Sequence, residues 1–444
     1  VADLLISDTT VVDGSGSPRF DGWVSVSGDR IEAVGRADET PPAAARTIAG
    51  SGMIIAPGFI DVHNHSDLSP LTLPEMPSTI RQGVTTVVVG NCGFSPWPLS
   101  SWEEALWFAY VDEDGFPAPS WQRWSEYLDA IEEARPATNV ATLIGHGSIR
   151  REVLGEEQRP PTSEELDLMT AMVRDAVIDG AVGVSTGLIY VPGMYSRTDE
   201  VVALAEAAAA SGGLYASHIR GEGRDLFRAV DEALAIGARA ELPVHISHLK
   251  CETQLAWGHA DRLLEAVHGA PDATGDQYPY EAWNSLLSSL LPPWAPVARV
   301  RDLAGIDRER LRAAVEEGEP DFQSSVEGVG WERIVLETAP EARWRGLGVA
   351  TIAEDLGMEP FDAFVELLGR SPEASCIGHA MARDDVLAIL RDPDVFVASD
   401  ASATSPSGHG GELPVHPRGT ARSRGRSRSR ATKDSCRSRR WFAR

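Results

Sequence analysis

The sequence predicts an α/β protein: a (β/α)8 TIM-like barrel with a small β domain. Two observations point to the barrel and a third to the small domain. Eight apolar, strand-like runs follow Pro57, and amphipathic helical stretches separate them. Buried runs alternating with such helices belong to parallel β/α architecture, and eight of them suit a closed barrel. Before Pro57, the segments LLIS, TTVVDGSG, DGWVSVSGDRIEAVG and MIIAPG alternate apolar residues with Gly and Asp turns, the pattern of short strands.

The eight runs are GFIDVHNH (58–65), GVTTVVVGNCG (83–93), NVATLIGHG (139–147), AVGVSTGLIY (181–190), GLYASHIR (213–220), PVHISHLK (243–250), DATGDQYPY (272–280) and DVFVASD (394–400). Helices such as SEELDLMTAMVRDAVIDG and GEGRDLFRAVDEALAIGARAE lie between them. Two connections are long. Residues 94–138 are rich in Trp and read as a lid, and 281–393, with helices and the turn LLPPWAP, read as an insertion after the seventh strand. The expected division is 1–57 for the N-terminal part of the small β domain, 58–419 for the barrel and 420–444 for a basic tail.

The 444 residues suffice for a large core, and 43% of them are apolar. A net charge of −26 argues against a general nucleic-acid or membrane binder. No apolar run approaches the ~20 residues that span a bilayer. The start lacks signal-peptide features, and Val1 fits a GTG start codon read literally. Cys92, Cys251, Cys376 and Cys436 are scattered and suggest no disulfide framework, so a cytoplasmic location is expected.

Polar and metal-capable residues recur at the C-terminal ends of the runs: His63 and His65, Cys92, His146, Tyr190, His218, His248 with Lys250, Tyr280, and Asp400. In a barrel these ends form one rim, where the chemistry is done. Each residue also has a plain structural reading. His63 and His65 share one side of an extended strand and can chelate an ion, or can be polar residues at a strand end. Cys92 can be a thiolate ligand or a small buried hydrophobe. His218 and His248 taken singly read as structural histidines. His245 faces away from His248, His146 reads as a supporting residue, and His259, His268, His379, His409 and His416 have no metal role. Together, two or three imidazoles and one thiolate make a shell suited to Zn2+. An open coordination position would lower the pKa of a bound water to ~7. Asp400 could take its proton and pass it to a leaving group, or could cap a helix in SDASA.

With these residues in place, the sequence resembles the amidohydrolase superfamily, and more closely its D-aminoacylase (N-acyl-D-amino-acid deacylase) family. The resemblance rests on GFIDVHNHSD, GNCG, YASHIRGEG, HISHLK, DQYPY and the HPR triplet at 416–418, and covers residues 1–419. It implies a tight zinc at Cys92, His218 and His248, and a second, weaker metal at His63 and His65 with Cys92 bridging. It also implies Asp400 as general base and then acid, and Lys250, Tyr280 and Arg418 as a clamp on the substrate α-carboxylate. Tyr190 is implied to polarise the scissile carbonyl. The implied substrate is a small-molecule N-acyl-D-amino acid, with no nucleic-acid or membrane partner. EAWNSLLSSLLPPWAPVAR is apolar until Arg299, which favours neutral or hydrophobic side chains. A cyclic-amide (hydantoin or dihydropyrimidine) hydrolase is the alternative, disfavoured because VGVSTGLIY carries no Lys. Ala401 stands where the family usually has glycine after the Asp.

The tail departs from the family pattern. From Thr420 onward it carries ten Lys/Arg and one Asp. A one-nucleotide shift at Gly419 explains this. Out of frame, a GC-rich helix yields Arg and Ser, and Ser423, Ser427, Ser429, Ser435 and Ser438 become apolar when the frame is restored. Residues 420–444 therefore read as an out-of-frame product. The 444-residue chain is accordingly expected to fold poorly and to turn over weakly, with unpartnered strands in the small β domain.

Overall fold

The computed structural model of the chain describes residues 1–109, 116–295, 306–320 and 322–405. Arg299, Arg418 and the basic tail lie outside the described residues.

Val1–Phe59 form a compact unit. Its strands are β1 (Ala2–Val11), β2 (Phe20–Ser27), β3 (Arg30–Arg36), β4 (Ala44–Ala49) and β5 (Ile54–Ile55). The sheet order is β3-β2-β1-β4, with β5 also on β1. β1, β2 and β3 pair antiparallel, whereas β4 and β5 run parallel to β1. Gly28 closes the β2–β3 hairpin at φ +58°, a conformation that favours glycine. Trp23 and Val24 are buried, while Ile31, Val34, Met53 and Ile54 are exposed.

The second unit begins at Ile60. Its barrel strands are β6 (Phe59–Asp61), β7 (Val84–Val89), β8 (Asn139–Gly145), β9 (Gly183–Gly187), β10 (Leu214–His218), β11 (Val244–Ile246) and β12 (Ala273–Gln277). An insertion contributes β13 (Trp283–Leu286), β14 (Ile334–Leu336) and β15 (Ser375–Gly378), and β16 (Val395–Val397) is the eighth barrel strand. The order β6-β7-β8-β9-β10-β11-β12-β16 gives a nearly closed TIM-like barrel, one strand from each of the eight apolar runs. β7 shows why such segments become strands: VTTVVV is entirely β-branched and its side chains pack on a pleated surface.

Amphipathic helices cover the sheet. Helix Leu226–Ala240 buries Leu226, Ala229, Val230, Ala233, Ile236, Gly237 and Ala240, a stripe at three- and four-residue spacing. All of these but Gly237 join Tyr215, Val244 and Ile246 in one core, where each fully buried large aliphatic contributes about 1.5–3 kcal/mol. Helix Ser163–Asp179 starts at a capping box: Glu165 N–H donates to the Thr162 hydroxyl, and the Glu165 carboxylate accepts from Thr162 N–H. Gly180 stops it at φ +126°.

The barrel closes just beyond the ends of its first and last strands. Asp400 N–H donates to His63 O at 2.8 Å, and His65 N–H to Ala401 O at 3.1 Å. Ser399 N–H donates to the Asp61 carboxylate at 2.9 Å.

The Trp-rich connection packs inward. Trp102, Ala105 and Leu106 form a cluster with Leu68, with Trp121 against it, and Trp124 belongs to the main core. The insertion has a sheet ordered β13-β15-β14, helices Arg308–Glu317, Val349–Leu356 and Pro360–Arg370, and a core of its own around Trp344, Phe361 and Phe364. Helix Arg383–Arg391, inside the stretch read as insertion, sends Ile389 into the barrel core. Among the described residues, no helix is long and apolar enough to cross a membrane.

Candidate metal centre

Three of the strand-end residues sit in strained backbone. Cys92, His248 and Asp400 have φ of +55°, +36° and +52°. Non-glycine residues seldom adopt this region, and its cost of about 1–3 kcal/mol is typical of functional sites. In each case the chain leaves its strand and turns a side chain over the barrel mouth. The GNCG turn is also tightly enclosed. A Cβ on Gly187 would lie 2.0 Å from Cys92 O, and one on Gly93 would lie 2.6 Å from Gly187 N. Glycine at 93 and 187 lets the Cys92 turn rest directly on β9.

The result is two buried ligand sets sharing one sulfur. Cys92, His218 and His248 form one and His63, His65 and Cys92 the other, with the ligand atoms of each set within 4.8 Å of one another. Cys92 Sγ lies 3.4 Å from His63 Nε2 and 3.6 Å from His248 Nε2. His248 Nε2 lies 2.9 Å from His218 Nδ1. The His218 and His248 rings meet edge to face, with centroids 4.3 Å apart.

Carboxylates surround this cluster. Asp400 Oδ1 is 3.2 Å from His65 Nε2 and 3.5 Å from His63 Nε2. Asp276, fully buried, approaches His63 Nδ1 at 3.3 Å and His245 Nε2 at 2.8 Å, and accepts from His248 N–H at 3.0 Å. Glu222 accepts from Lys250 Nζ at 2.7 Å and lies 3.1 Å from His248 Nδ1. Burial alone would raise the Cys92 thiol, but the imidazoles of His63, His218 and His248 bring it well below its ordinary value. Burial opposes charge on His65, yet the Asp400 carboxylate and the Cys92 thiolate hold its pKa up at about 9. Burial disfavours the Asp276 charge, but His63 and His245 leave that carboxyl below its ordinary range.

This donor set fits a zinc-type ion. A thiolate, four imidazoles and the anions behind them converge in a buried space, and imidazole with thiolate is the combination zinc prefers. The anions already draw protons onto His65; a divalent cation would supply that charge instead.

The remaining strand-end residues fall around the centre in different ways. The Tyr190 ring meets His218 edge-on at 5.0 Å, and its hydroxyl bonds Ser285 on β13. Burial, with Cys92, Asp400 and Glu222 nearby, pushes this phenol well above its ordinary pKa and keeps it a donor. Lys250 Nζ lies 5.5 Å from the ring of Tyr278, while Tyr280 packs beside the cluster of Ala380 and Met381. His146 turns to Glu200 at 2.9 Å. Ala401 keeps negative φ and takes part in barrel closure, so the turn it enters is intact without glycine.

Asp276 and Glu222 are the two residues that sequence reasoning did not single out. Asp276 carries a faint signal, as a carboxylate inside a strand run. Glu222, in an Arg-Gly-Glu-Gly loop, looks like an ordinary solvated acid.

Comparison with known proteins agrees with this geometry. The Amidohydrolase family model matches residues 46–289. The D-aminoacylase of Alcaligenes xylosoxydans xylosoxydans is 38% identical over 288 residues, which is 64% of this chain and 59% of that protein. The chain therefore matches less than two thirds of that relative's length. The N-acyl-D-aspartate deacylase of the same organism is 31% identical over 92% of this chain and 74% of its own length. A solved N-acyl-D-glutamate deacylase from Bordetella bronchiseptica, complexed with zinc and a phosphonate mimic of the tetrahedral intermediate, superposes with a TM-score of 0.72. It is 32% identical, over 90% of this chain and 76% of that one. The chain belongs to the amidohydrolase family, in its D-aminoacylase branch.

Proposed function

We propose that the protein hydrolyses the amide bond of N-acyl-D-amino acids, releasing a carboxylate and a free D-amino acid, with zinc at the Cys92 centre. The observation that carries this reading is the pair of buried ligand sets joined at Cys92, with the Asp400 carboxylate 3.2 Å from His65. Cys92, His218 and His248 would hold the tighter ion, and His63, His65 and Cys92 a second. When bound, zinc supplies Lewis acidity at the scissile carbonyl and activates water.

The chain's own residues do the rest. Asp400 takes a proton from the attacking water at a carboxylate oxygen and returns it to the departing amide nitrogen. Tyr190, whose phenol oxygen is met by Ser285 in the resting protein, donates its O–H to the carbonyl oxygen as negative charge builds there. Lys250 directs an ammonium proton to the substrate α-carboxylate, as an ammonium has three donors and can keep its bond to Glu222. Tyr280 and Arg418 complete that clamp. A clamp on one side of Cα and the reacting carbonyl on the other leave one handedness able to reach both, which favours D-substrates. The insertion meets Tyr190 through Ser285, and its stretch EAWNSLLSSLLPPWAPVAR is apolar until Arg299, which suits a neutral or hydrophobic side chain.

The test is turnover of N-acetyl-D-methionine against its L-enantiomer, with zinc added. It is run on the 444-residue chain and on a version with the frame restored at Gly419. D-selective release of methionine is expected, stronger in the restored chain. Asp400→Asn should lose about 10²–10⁴-fold in kcat while retaining metal. No D-selective turnover in either zinc-loaded chain, or hydantoin hydrolysis in its place, sinks the reading.

A further inference from the structure

Glu222 enters the proposed chemistry only as the partner of Lys250. Its carboxylate is buried at the barrel mouth, in the loop after β10. The two imidazoles of the Cys92/His218/His248 set point one nitrogen each at the shared cluster: His218 uses Nδ1 and His248 uses Nε2. Their opposite nitrogens both face Glu222, and His248 Nδ1 also lies 2.8 Å from Lys250 Nζ, so it points at the Glu222–Lys250 pair. His248 Nδ1 lies 3.1 Å from Glu222 Oε1, and His218 Nε2 lies 3.7 Å from Glu222 Oε2. His218 Nε2 is buried and makes no hydrogen bond in the structure, and Glu222 is the carboxylate it faces, at ion-pair distance. Oε1 also accepts from Lys250 Nζ at 2.7 Å. One carboxylate thus spans the outer edges of two candidate ligands and the candidate substrate clamp.

From this geometry we infer that Glu222 is a positioning residue that orients His218 and His248 together toward the metal and ties their orientation to Lys250. An imidazole that presents one nitrogen to a cation carries its proton on the other, and a carboxylate behind that N–H fixes the tautomer and the ring plane. Separate residues commonly brace separate ligands; here the two oxygens of Glu222 serve both. The backbone holds it in register, because Glu252 N–H donates to Glu222 O at 2.7 Å. The inference rests on the metal-centre reading of this site but does not depend on its substrate.

The rival explanation is that Glu222 merely neutralises the buried Lys250 ammonium. A double-substitution cycle separates the two. Zinc affinity of the full chain is measured by competition with a chromophoric chelator for the parent, Glu222→Gln, Lys250→Met and the double variant. Circular dichroism confirms folding of each. Cobalt substitution gives a second readout, the thiolate-to-cobalt absorption band and the ligand-field spectrum. Glu222→Gln should weaken zinc about 10–100-fold and shift the cobalt spectrum, and the loss should persist in the Lys250→Met background. Recovery of parental affinity in the double variant would overturn the inference, because it would show a countercharge role alone. Unchanged affinity in folded Glu222→Gln would overturn it equally. If Glu222→Gln does not fold, Glu222→Asp is used; it keeps the charge but shortens the reach to both rings, and parental affinity there overturns the inference. A parent that binds zinc tightly but hydrolyses no D-substrate would instead count against the deacylase reading and leave this one standing.

Discussion

The two sides of the Cys92 sulfur are built differently. On one side, His63 and His65 leave a short strand two residues apart, each faced by an aspartate: Asp276 behind His63, and Asp400 on the inner nitrogens of both. On the other, His218 and His248 come from neighbouring strands and share a single glutamate, itself tied to a lysine. The aspartate-rich side places Asp400 within 3.2–3.5 Å of both imidazoles, where it competes with an ion for them and, in the proposed chemistry, would serve as a base. The glutamate side keeps its carboxylate behind the rings. Such an arrangement suits one firmly held ion and one weaker ion beside a working carboxylate.

Cys92→Ala breaks the comparison outright, because the sulfur belongs to both sets. Metal content after gel filtration should fall to background, with affinity lower by roughly 10³-fold or more. Retention of one equivalent of zinc would show that four imidazoles suffice and that the sulfur is not the common ligand. Asp276→Asn sharpens the comparison. It should weaken the second step of a zinc titration about 10–100-fold, through His63. The first step should move less, because Asp276 reaches His248 only at the backbone N–H. Equal loss in both steps would show that the two sides are one unit.

The smallest expected effect concerns Glu252, behind the glutamate side. Burial and the neighbouring Glu222 carboxylate push its carboxyl up to about 7, although it accepts from Trp283 Nε1 at 2.8 Å. A carboxyl with a raised folded pKa binds its proton more tightly in the native state. Stability should therefore fall as pH rises from the ordinary glutamate value through 7, by up to about 3 kcal/mol. Urea unfolding of the parent and Glu252→Gln at pH 5 and pH 8 checks this: the variant should lose that part of the slope. Parallel slopes would remove Glu252 from the account.

Much of this candidate centre was legible in the chain because its candidate ligands interrupt apolar runs. His63, His65, Cys92, His218, His248 and Asp400 are polar residues at the ends of strands that otherwise read as core, and barrel topology then gathers them. The carboxylates behind them were not legible for a physical reason. Glu222 acts on His248, 26 positions away, through a loop whose direction no local pattern encodes. The stretch just past β12 shows a second limit. β12 ends at Gln277, and past that point two-residue alternation no longer says which side chain turns inward. The insertion shows a third. Helix Arg383–Arg391 is amphipathic like those before it, and nothing in its sequence says that its apolar stripe packs on the barrel.

The closure of the barrel has a consequence for how the centre comes into being. The seam between the first and last strands is fastened by the main chain of His63, His65, Asp400 and Ala401. The residues proposed to do chemistry are thus also the buckle. In any state where the last strand has not arrived, the aspartate is absent from its histidines and the mouth is open to water. The carboxylate proposed as catalytic and the closed barrel therefore arrive together, so an ion bound earlier would wait beside an idle site. Release of the last strand would switch the chemistry off before the rest of the barrel came apart.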